Sequence, residues 1–373
     1  TVTIHGSSSN FTLGTTGVGF VHGDQLGDIA SLRIVGSSSN LRITSTGRLN
    51  TLTLGSVSNS TLAARTIGTL RTVAHAAAGS TGDWFESDLQ LQGGSSTSLA
   101  LGSASIAGQI TGTGFGQGSR WDIQGRTGPI RIAGGVSGWT LGTTIAQGGV
   151  FPDQLGAIAA LRVAGALAEM SINSVGRIGI FSAATIDSLI LRANSLGVMT
   201  VGTATAPGKL SNSSLSLSGA FGTAGNALDN LTVHGPVRDT RIDVLAGNVG
   251  SVTVGRFEAS KLYLGYTPGL DFETLGTFTS TPYTLNRFVT TQAFTANLPQ
   301  TLAFGNSEVV AHRFGTVRLS GVLTGNSGVA FGLRVNGPAN SGSVRVAAPT
   351  TTFLPTANLL PNVSFGDFHF VAS

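Results

Sequence analysis

Short apolar segments with a fixed inner pattern recur along the chain. Each has apolar residues at its first, fourth and sixth positions, with small or polar residues between them. The clearest copies are residues 29–34, 49–54, 158–163, 175–180, 186–191, 228–233 and 249–254. Because side chains alternate along a strand, the fourth and sixth side chains point to one face and the fifth to the other. The pattern therefore predicts short β-strands with one buried face.

The early copies have the spacing of a coiled repeat. With Leu13 taken as the first, their fourth positions are Leu13, Leu32, Leu52 and Leu70, which lie 19, 20 and 18 residues apart. Further alternating segments lie between them, so each unit is predicted to hold two strands and two turns. One such strand cannot bury its apolar side alone, whereas coils stacked about 4.8 Å apart bury a continuous column.

A turn sequence and a longer segment both occur twice. The turn Gly-Ser-Ser-Ser-Asn stands at 6–10 and 36–40, and Gly and Asn tolerate the left-handed backbone that tight corners require. Residues 24–36 match 153–165 at nine of thirteen positions. Residues 11–16 match 139–144 in the same way. We infer an internal duplication of about 11–56 and 139–183.

These patterns predict an all-β fold: a right-handed parallel β-solenoid (β-helix) at 1–281 with coils of about 19 residues, and a C-terminal β-rich cap or assembly module at 282–373. The last part is distinguished by nine of the nineteen Phe residues and only two acidic residues. Irregular coils continuing to the C-terminus are an alternative. A left-handed hexapeptide helix, with uninterrupted hexads, and an antiparallel sandwich, with two-residue hairpins, also stay open.

Three phrases carry a resemblance to a known group of proteins. They are Ile-Gly-Thr-Leu-Arg at 67–71, Ser-Val-Ser-Asn-Ser-Thr-Leu at 56–62 and Val-Gly-Ser-Val-Thr-Val at 249–254. They resemble the β-helical repeats of large secreted surface and adhesin-type proteins of bacteria, including planctomycete-type proteins. The resemblance covers most of residues 1–281 and implies stalks, walls and fibres. It brings no set of functional residues with it.

Composition narrows the class further. Only 10% of the residues are charged and Gly numbers 54, which excludes a charge-rich disordered tail and a helical bundle. The absence of Cys removes disulfides, thiol catalysis and Cys-based zinc sites. A net charge of +4 without a dense basic run does not indicate nucleic-acid binding. No apolar run is long enough for a membrane span, and the N-terminal Thr without a signal peptide predicts a mature or trimmed product.

The two ends of the sequence predict self-association. Residues 1–6 align with 230–235, so the first coil begins in its middle and leaves an uncapped end. We predict head-to-tail assembly of copies of the chain, in which the last strand of one copy packs on the first coil of the next. The interface residues would be Val2, Ile4, Phe365, Phe368 and Phe370. The alternative is that the last strand closes its own domain.

Two groups of side chains are candidates for binding. Arginine recurs at the outward position of the hexads, at Arg33, Arg71, Arg131, Arg162, Arg318, Arg334 and Arg345. Such a stripe either holds anionic glycans or spaces surface charges about a Debye length apart. The acidic residues Asp83, Glu86 and Asp88 lie around Trp84 in the sequence. A sugar would stack on the Trp84 ring, and a calcium ion would bind the carboxylates. A solvated loop is the alternative.

No pattern of catalytic, cofactor-binding or metal-ligating residues is present. The six His are dispersed, and Arg241 between Asp239 and Asp243 predicts surface ion pairs. We therefore predict a non-enzymatic, secreted bacterial protein of the cell surface, a structural subunit of a self-assembling fibre, stalk or layer. Its partners would be its own copies and cell-surface glycans, with no nucleic acid, membrane span or cofactor. The alternatives are a carbohydrate-binding adhesin and a polysaccharide-degrading β-helix enzyme using Asp83 or Asp239.

Overall fold

The computed structural model describes residues 1–15, 28–93, 99–114, 118–144, 156–219, 225–292, 303–322, 325–337, 342–346 and 362–372. These residues form strands and one short 3-10 turn at Ala76–Ala78, without an α-helix. The long, mostly parallel sheet confirms the prediction of an all-β, solenoid-like fold. The chain folds as two compact units, Thr1–Ala183 with Leu189–Ala193, and Ala184–Ser188 with Asn194–Ser373.

The first unit contains twenty strands of its own and part of another. They are β1 (Val2–Ile4), β2 (Ser8–Ser9), β3 (Thr12–Thr15), β4 (Ile29–Ile34), β5 (Ser38–Ser39), β6 (Arg42–Ser45), β7 (Arg48–Leu54), β8 (Val57–Ser58), β9 (Thr61–Ala64), β10 (Thr66–Thr72), β11 (Trp84–Phe85), β12 (Asp88–Leu91), β13 (Leu99–Ile106), β14 (Ile110–Thr111), β15 (Ser119–Gln124), β16 (Arg126–Ile132), β17 (Val136–Thr144), β18 (Ile158–Val163), β19 (Ala166–Ser174) and β20 (Arg177–Ala183). Strand β21 (Thr185–Ala193) has residues in both units.

Coils of the first unit contribute strands to three parallel faces. Face A consists of β1, β4, β7, β10, β13, β16, β18 and β20, paired in that order. Face B consists of β2, β5, β8, β11, β14 and the start of β17. Face C consists of β3, β6, β9, β12, β15, the rest of β17 and β19. The prediction of two strands per coil is wrong, because the two-residue strands of face B are too short to show alternation.

The predicted apolar column is confirmed on face A. Leu32, Leu52 and Leu70 are register partners in successive coils, and each has a side chain that is 0% exposed. Leu13 does not belong to this column. It lies on face C, and the partner of Leu32 in the preceding coil is Val2. The alternation around Leu13 is that of a strand, but alternation alone does not say which face the strand joins.

Coil length varies more than the sequence predicts. Successive partners lie twenty residues apart from Leu32 to Leu52 and eighteen from Leu52 to Leu70, but thirty-four from Leu70 to Ala104. Part of the longer coil is a loop with the 3-10 turn between β10 and β11. The spacing of about 19 residues therefore describes only the regular coils. Loops absorb extra residues while the strands keep their register.

The repeated Gly-Ser-Ser-Ser-Asn segment is a short strand with a corner at each end. In its second copy, β5 lies between Gly36 and Asn40. A Cβ on Gly36 would come within 2.5 Å of the backbone N of Ser7 in the preceding coil. Asn40 adopts a φ of 52°, and its amide donates a hydrogen bond of 3.1 Å to Oδ1 of Asn10. Close approach at one corner and a left-handed backbone at the other explain these residue types.

A ladder of buried hydroxyl groups joins coil to coil just after corners of the backbone, five of which are left-handed. Its members are Ser60, Ser87 and Ser119 in the first unit and Thr240, Ser260 and Ser307 in the second. In the first unit the Ser87 hydroxyl donates to the carbonyl of Phe85 at 2.7 Å and accepts the N–H of Ser60 at 3.1 Å. In the second unit Ser260 bonds Glu258 and Thr240 in the same way. The ladder supplies partners to backbone groups that the corner removes from the sheet.

We expect Ser87→Ala to lower the free energy of unfolding by about 1–3 kcal/mol, because the buried N–H of Ser60 loses its partner. Urea denaturation followed by circular dichroism measures the change. The matched control is Ser58→Ala, whose partly buried hydroxyl makes only a 3.4 Å hydrogen bond to Ser38. This control should change stability by less than about 0.5 kcal/mol. Equal effects of the two variants would contradict a special role for the ladder.

The duplicated segments occupy equivalent steps of the first unit. The equivalent partners are Leu13 with Ile43 and Leu141 with Ile172, and Leu32 with Leu52 and Leu161 with Phe181. Residues 16–27 and 145–155, which include parts of the matched sequences, lie outside the described residues. The two matching segments thus form the same pairing step at two places in the first unit, and their origin by duplication stays a prediction.

The second unit contains the remaining strands. They are β22 (Ser195–Val201), β23 (Leu210–Ser211), β24 (Ser214–Leu217), β25 (Asn226–Arg238), β26 (Arg241–Val244), β27 (Asn248–Glu258), β28 (Lys261–Leu264), β29 (Tyr266–Thr267), β30 (Thr277–Phe278), β31 (Thr284–Thr290), β32 (Phe304–Gly305), β33 (Glu308–Ala311), β34 (Arg313–Leu319), β35 (Phe331–Val335), β36 (Ser343–Val346), β37 (Val363–Phe365) and β38 (Phe368–Ala372).

Parallel pairing runs through the second unit to its last strand. On one face β22, β25, β27, β31, β34 and β36 pair in order, and on another β24, β26, β28, β33, β35 and β38. Two antiparallel pairs, β29 with β30 and β37 with β38, depart from this order. The boundary between residues 281 and 282 stays a prediction, and the parallel pairing of β27 with β31 runs across it.

Candidate functional site

The three carboxylates predicted to contact a glycan lie on different parts of the coil. Asp83, just before β11, accepts hydrogen bonds from the Thr81 hydroxyl at 2.5 Å and the Gln109 N–H at 2.8 Å. Glu86 occupies a corner with a φ of 41°. Asp88 begins β12 on face C. The Asp83 carboxylate holds a loop, and the three carboxylates form no group placed to bind a metal ion.

Trp84 is part of the core, which corrects the prediction that a sugar stacks on it. Its ring is 0% exposed, and its Nε1–H donates to the carbonyl of Ser87 at 2.8 Å. The outward residue of this strand is Phe85, 38% exposed, beside a shallow groove of about 340 Å³ that Asp83 also lines. Alternation on a two-residue strand does not determine which residue points inward, so the sequence did not distinguish Trp84 from Phe85.

Asp88 belongs to a mixed row of charges on face C. It is the register partner of Arg120, whose Nε lies 2.7 Å from Oδ2 of Asp122. Burial raises the pKa of Asp88 above its ordinary value, while the adjacent Arg120 opposes this rise. Both members of the ion pair are well exposed, so the pair contributes little to stability. Charges on face C neutralise one another locally.

The charged group predicted around Arg241 forms ion pairs on the second unit. Nε of Arg241 lies 2.7 Å from Oδ2 of Asp243, and this hydrogen bond raises the pKa of the guanidinium. Arg238 lies 2.6 Å from a Glu258 carboxylate oxygen. Asp239 stands at a left-handed corner with a φ of 49°. The prediction of surface ion pairs is confirmed for Arg241 with Asp243.

A buried tyrosine and a lysine share one carboxylate in the second unit. The Tyr263 hydroxyl donates to Oε2 of Glu308 at 2.5 Å, and Nζ of Lys261 lies 3.1 Å from its Oε1. Burial, followed by the bond to Glu308, raises the pKa of Tyr263 well above its usual range. Lys261 and Glu308 line a cavity of about 550 Å³. Both oxygens of Glu308 are thus engaged, and its role is structural.

Arg334 is an exception among the predicted outward arginines. It is only 4% exposed, its guanidinium donates to the carbonyl of Phe272, and its Cζ lies 5.0 Å from the Phe272 ring centre. The segment between β28 and β31 covers it. Arg318 and Arg345 are exposed and are register partners. The hexad pattern could not report the covering segment, because coverage depends on contacts distant in sequence.

Face A of the first unit carries the remaining predicted arginines as a single column. Register places Arg33, Thr53, Arg71, Ser105, Arg131, Arg162 and Ser182 at successive coils. We call its four arginines the arginine column. All four are exposed, and within the described ranges none forms an ion pair with a carboxylate. A shallow groove of about 340 Å³ runs past Arg131 and Arg162.

A second outward row accompanies the arginine column. Two residues earlier in the first four of these strands stand Ser31, Thr51, Thr69 and Ser103, which are partners in successive coils and partly exposed. At Arg131 and Arg162 the same position holds Pro129 and Ala160. We call these four the hydroxyl row. Because residues two apart on a strand share a face, guanidinium and hydroxyl groups point to the same side. The sequence analysis predicted the arginines but not the hydroxyl row. The signal that could have revealed the row is the Ser or Thr at the third position of these hexads.

The residues predicted for end-to-end assembly occupy unequal environments. Val2 is 39% exposed on β1, and Ile4 is partly exposed. Phe368 and Phe370 are fully buried in the last coil of their own chain, where β38 pairs with β35 and β37. These two rings are core and not free contact surface. Phe365, on β37, is partly exposed.

Two further sequence predictions concern metal ligands and a membrane-spanning helix. Among the described residues, His, Asp and Glu form no group of three placed to hold a metal ion. In the same ranges, no helix has the length and hydropathy needed to cross a membrane.

Comparisons with protein-family models, with curated proteins and with solved structures each found no match to this chain.

Proposed function

We propose that this chain is a non-enzymatic structural protein of the bacterial cell surface, a subunit of an extracellular fibre, stalk or layer. The observation that carries the proposal is that polar side chains are used to join coil to coil. The hydroxyl ladder, the Asn40 to Asn10 amide bond and the contacts of Asp83 all link successive coils of the first unit. Such construction stabilises a long stack whose contacts are local, as in other repeat proteins.

The proposal includes a right-handed solenoid with a C-terminal β-rich cap. Right-handedness is supported by the general rule that crossovers between parallel strands of one sheet are right-handed. The cap is supported by β37, which turns back antiparallel on β38. A strand that reverses direction interrupts the coil path and changes the edge presented to a neighbour.

Assembly is proposed to occur by stacking of coil edges. Strand β1 pairs with β4 on one side, and no described strand pairs with its other side. An unpaired parallel edge with exposed apolar side chains is a template for another strand. Because Phe368 and Phe370 are buried, the opposite surface would be formed by β37 with Phe365. Repeated head-to-tail contact of this kind produces a filament.

We expect the purified chain to form filaments at high concentration and Ile4→Lys to abolish them. An inward lysine at an edge strand disfavours addition of another coil. Thr3→Lys is the matched control, because it adds the same charge at the neighbouring outward position. Electron microscopy and light scattering report the polymers, and circular dichroism checks that both variants fold. A chain that stays monomeric, or filaments that persist in Ile4→Lys, would refute the assembly mode.

A further inference from the structure

We propose that face A of the first unit binds a linear acidic polysaccharide laid along the arginine column. The polymer would run parallel to the stacking direction, with its acidic groups near the guanidinium groups and its hydroxyls near the hydroxyl row. This interaction is additional to the structural role and does not depend on assembly. It identifies a partner class for the exposed charges of one face.

The first support is the segregation of charge around the coil. The strands of face A contain seven arginines and no acidic residue. Asp28 stands just before β4 and accepts the backbone N–H of Arg48. The other described carboxylates of this unit lie on or beside faces B and C, as with Asp88 and Asp122. A face with charge of one sign concentrates an anionic polymer, whereas the mixed row on face C does not.

The second support is the spacing of the column. Arg33 and Arg71 are separated by two coils, as are Arg71 and Arg131, while Arg162 follows Arg131 in the next coil. Coils about 4.8 Å apart place Arg33, Arg71 and Arg131 at intervals of roughly 10 Å. A polysaccharide with one acidic group on alternate sugars presents charges one disaccharide apart, which is a comparable length. Along the axis of a DNA duplex the phosphates of one strand recur every ~3.4 Å and match this column poorly.

The third support is the chemistry between the charges. The hydroxyl row and the column hydroxyls Thr53 and Ser105 offer donors and acceptors that suit sugar hydroxyl groups. Proteins that bind single-stranded nucleic acids use aromatic rings as stacking platforms. The only aromatic residue in the strands of face A is Phe181, which is fully buried. The surface therefore fits a sugar polymer better than a nucleic acid.

Titration calorimetry with hyaluronan oligosaccharides tests the proposal, because their carboxylates recur on alternate sugars. Binding should be detectable at low ionic strength and weaken as salt screens the charges. The double variant Arg71→Gln with Arg131→Gln should bind roughly three- to thirtyfold more weakly, since it removes two exposed charge contacts. Dextran, which is neutral, should not bind.

Arg42→Gln is the matched control, because Arg42 is an exposed arginine on β6 of face C. It should leave the affinity for hyaluronan within about twofold of the unchanged chain. Absence of hyaluronan binding would overturn the proposal, as would an equal loss in Arg42→Gln. Tighter binding of poly(dT) through the same two arginines would overturn it in favour of a nucleic acid. Filament formation by the same sample is measured separately, so failure here leaves the assembly proposal intact.

Discussion

Trp121→Ala should lower the free energy of unfolding of the first unit by about 3–5 kcal/mol, the usual range for removing a buried aromatic side chain. The Trp121 ring is fully buried and lies edge-to-face with Trp84 at 5.3 Å and with Trp139 at 5.1 Å. Alanine removes both contacts and leaves a cavity between coils. Urea denaturation followed by circular dichroism gives the change in midpoint.

Trp121→Phe provides the control for this prediction. The Nε1–H of Trp121 has no hydrogen-bond partner among the described residues, so phenylalanine keeps a ring and removes a buried donor. We expect it to cost less than half as much as alanine, because the unpaired N–H already opposes stability. A loss below about 1 kcal/mol in Trp121→Ala would show that the three rings do not form the core of these coils.

Phe304→Ala should destabilise the second unit by a similar amount, about 3–5 kcal/mol. The Phe304 ring is fully buried and lies within 6.3 Å, centre to centre, of four other rings. These rings are Phe257, Phe288, Phe331 and Phe368. Because Phe368 belongs to β38, hydrogen exchange of residues 368–372 should accelerate along with the loss of stability.

Phe304→Leu and Phe365→Ala are the controls for the second prediction. Leucine keeps most of the apolar volume and should cost less than alanine. Phe365 is only partly buried, so its removal should cost less than Phe304→Ala. Equal destabilisation by Phe304→Ala and Phe365→Ala would contradict the assignment of Phe304 to the centre of this core. Unchanged exchange at β38 would show that the last strand is held independently of the aromatic cluster.

The sequence predicted those features that depend on neighbouring residues. The hexads alternate, so the inward position of Leu32 and the outward position of Arg33 follow from strand geometry alone. The similar spacing of Leu32, Leu52 and Leu70 predicted that they are vertical neighbours, which the register confirms. The same regularity predicted the alternation of Arg33 and Arg71 with Thr53.

Predictions that required knowledge of distant contacts failed. Trp84 was assigned to the surface although Trp121 packs against it from another coil, and Arg334 was assigned to the surface although Phe272 covers it. The hydroxyl ladder was missed for the same reason. In the sequence, a serine that follows a corner cannot be told from an ordinary turn residue. The role of Ser87 depends on the N–H of Ser60, one coil away, which donates to its hydroxyl. Each of these residues has its environment decided by a segment more than twenty residues away.

By itself, the sequence determined the strand pattern, the repeat and the inward or outward side of most hexad residues, because backbone alternation is a local property. Only the tertiary structure decided how many faces a coil has, how long each coil is and which polar groups are buried. Those properties depend on stacking, where loops of unequal length are absorbed and partners come from other coils. The arginine column depended on both the sequence and the tertiary structure. Its members were recognisable in the sequence, whereas the strand register was needed to show that they align on one face whose strands contain no acidic residue.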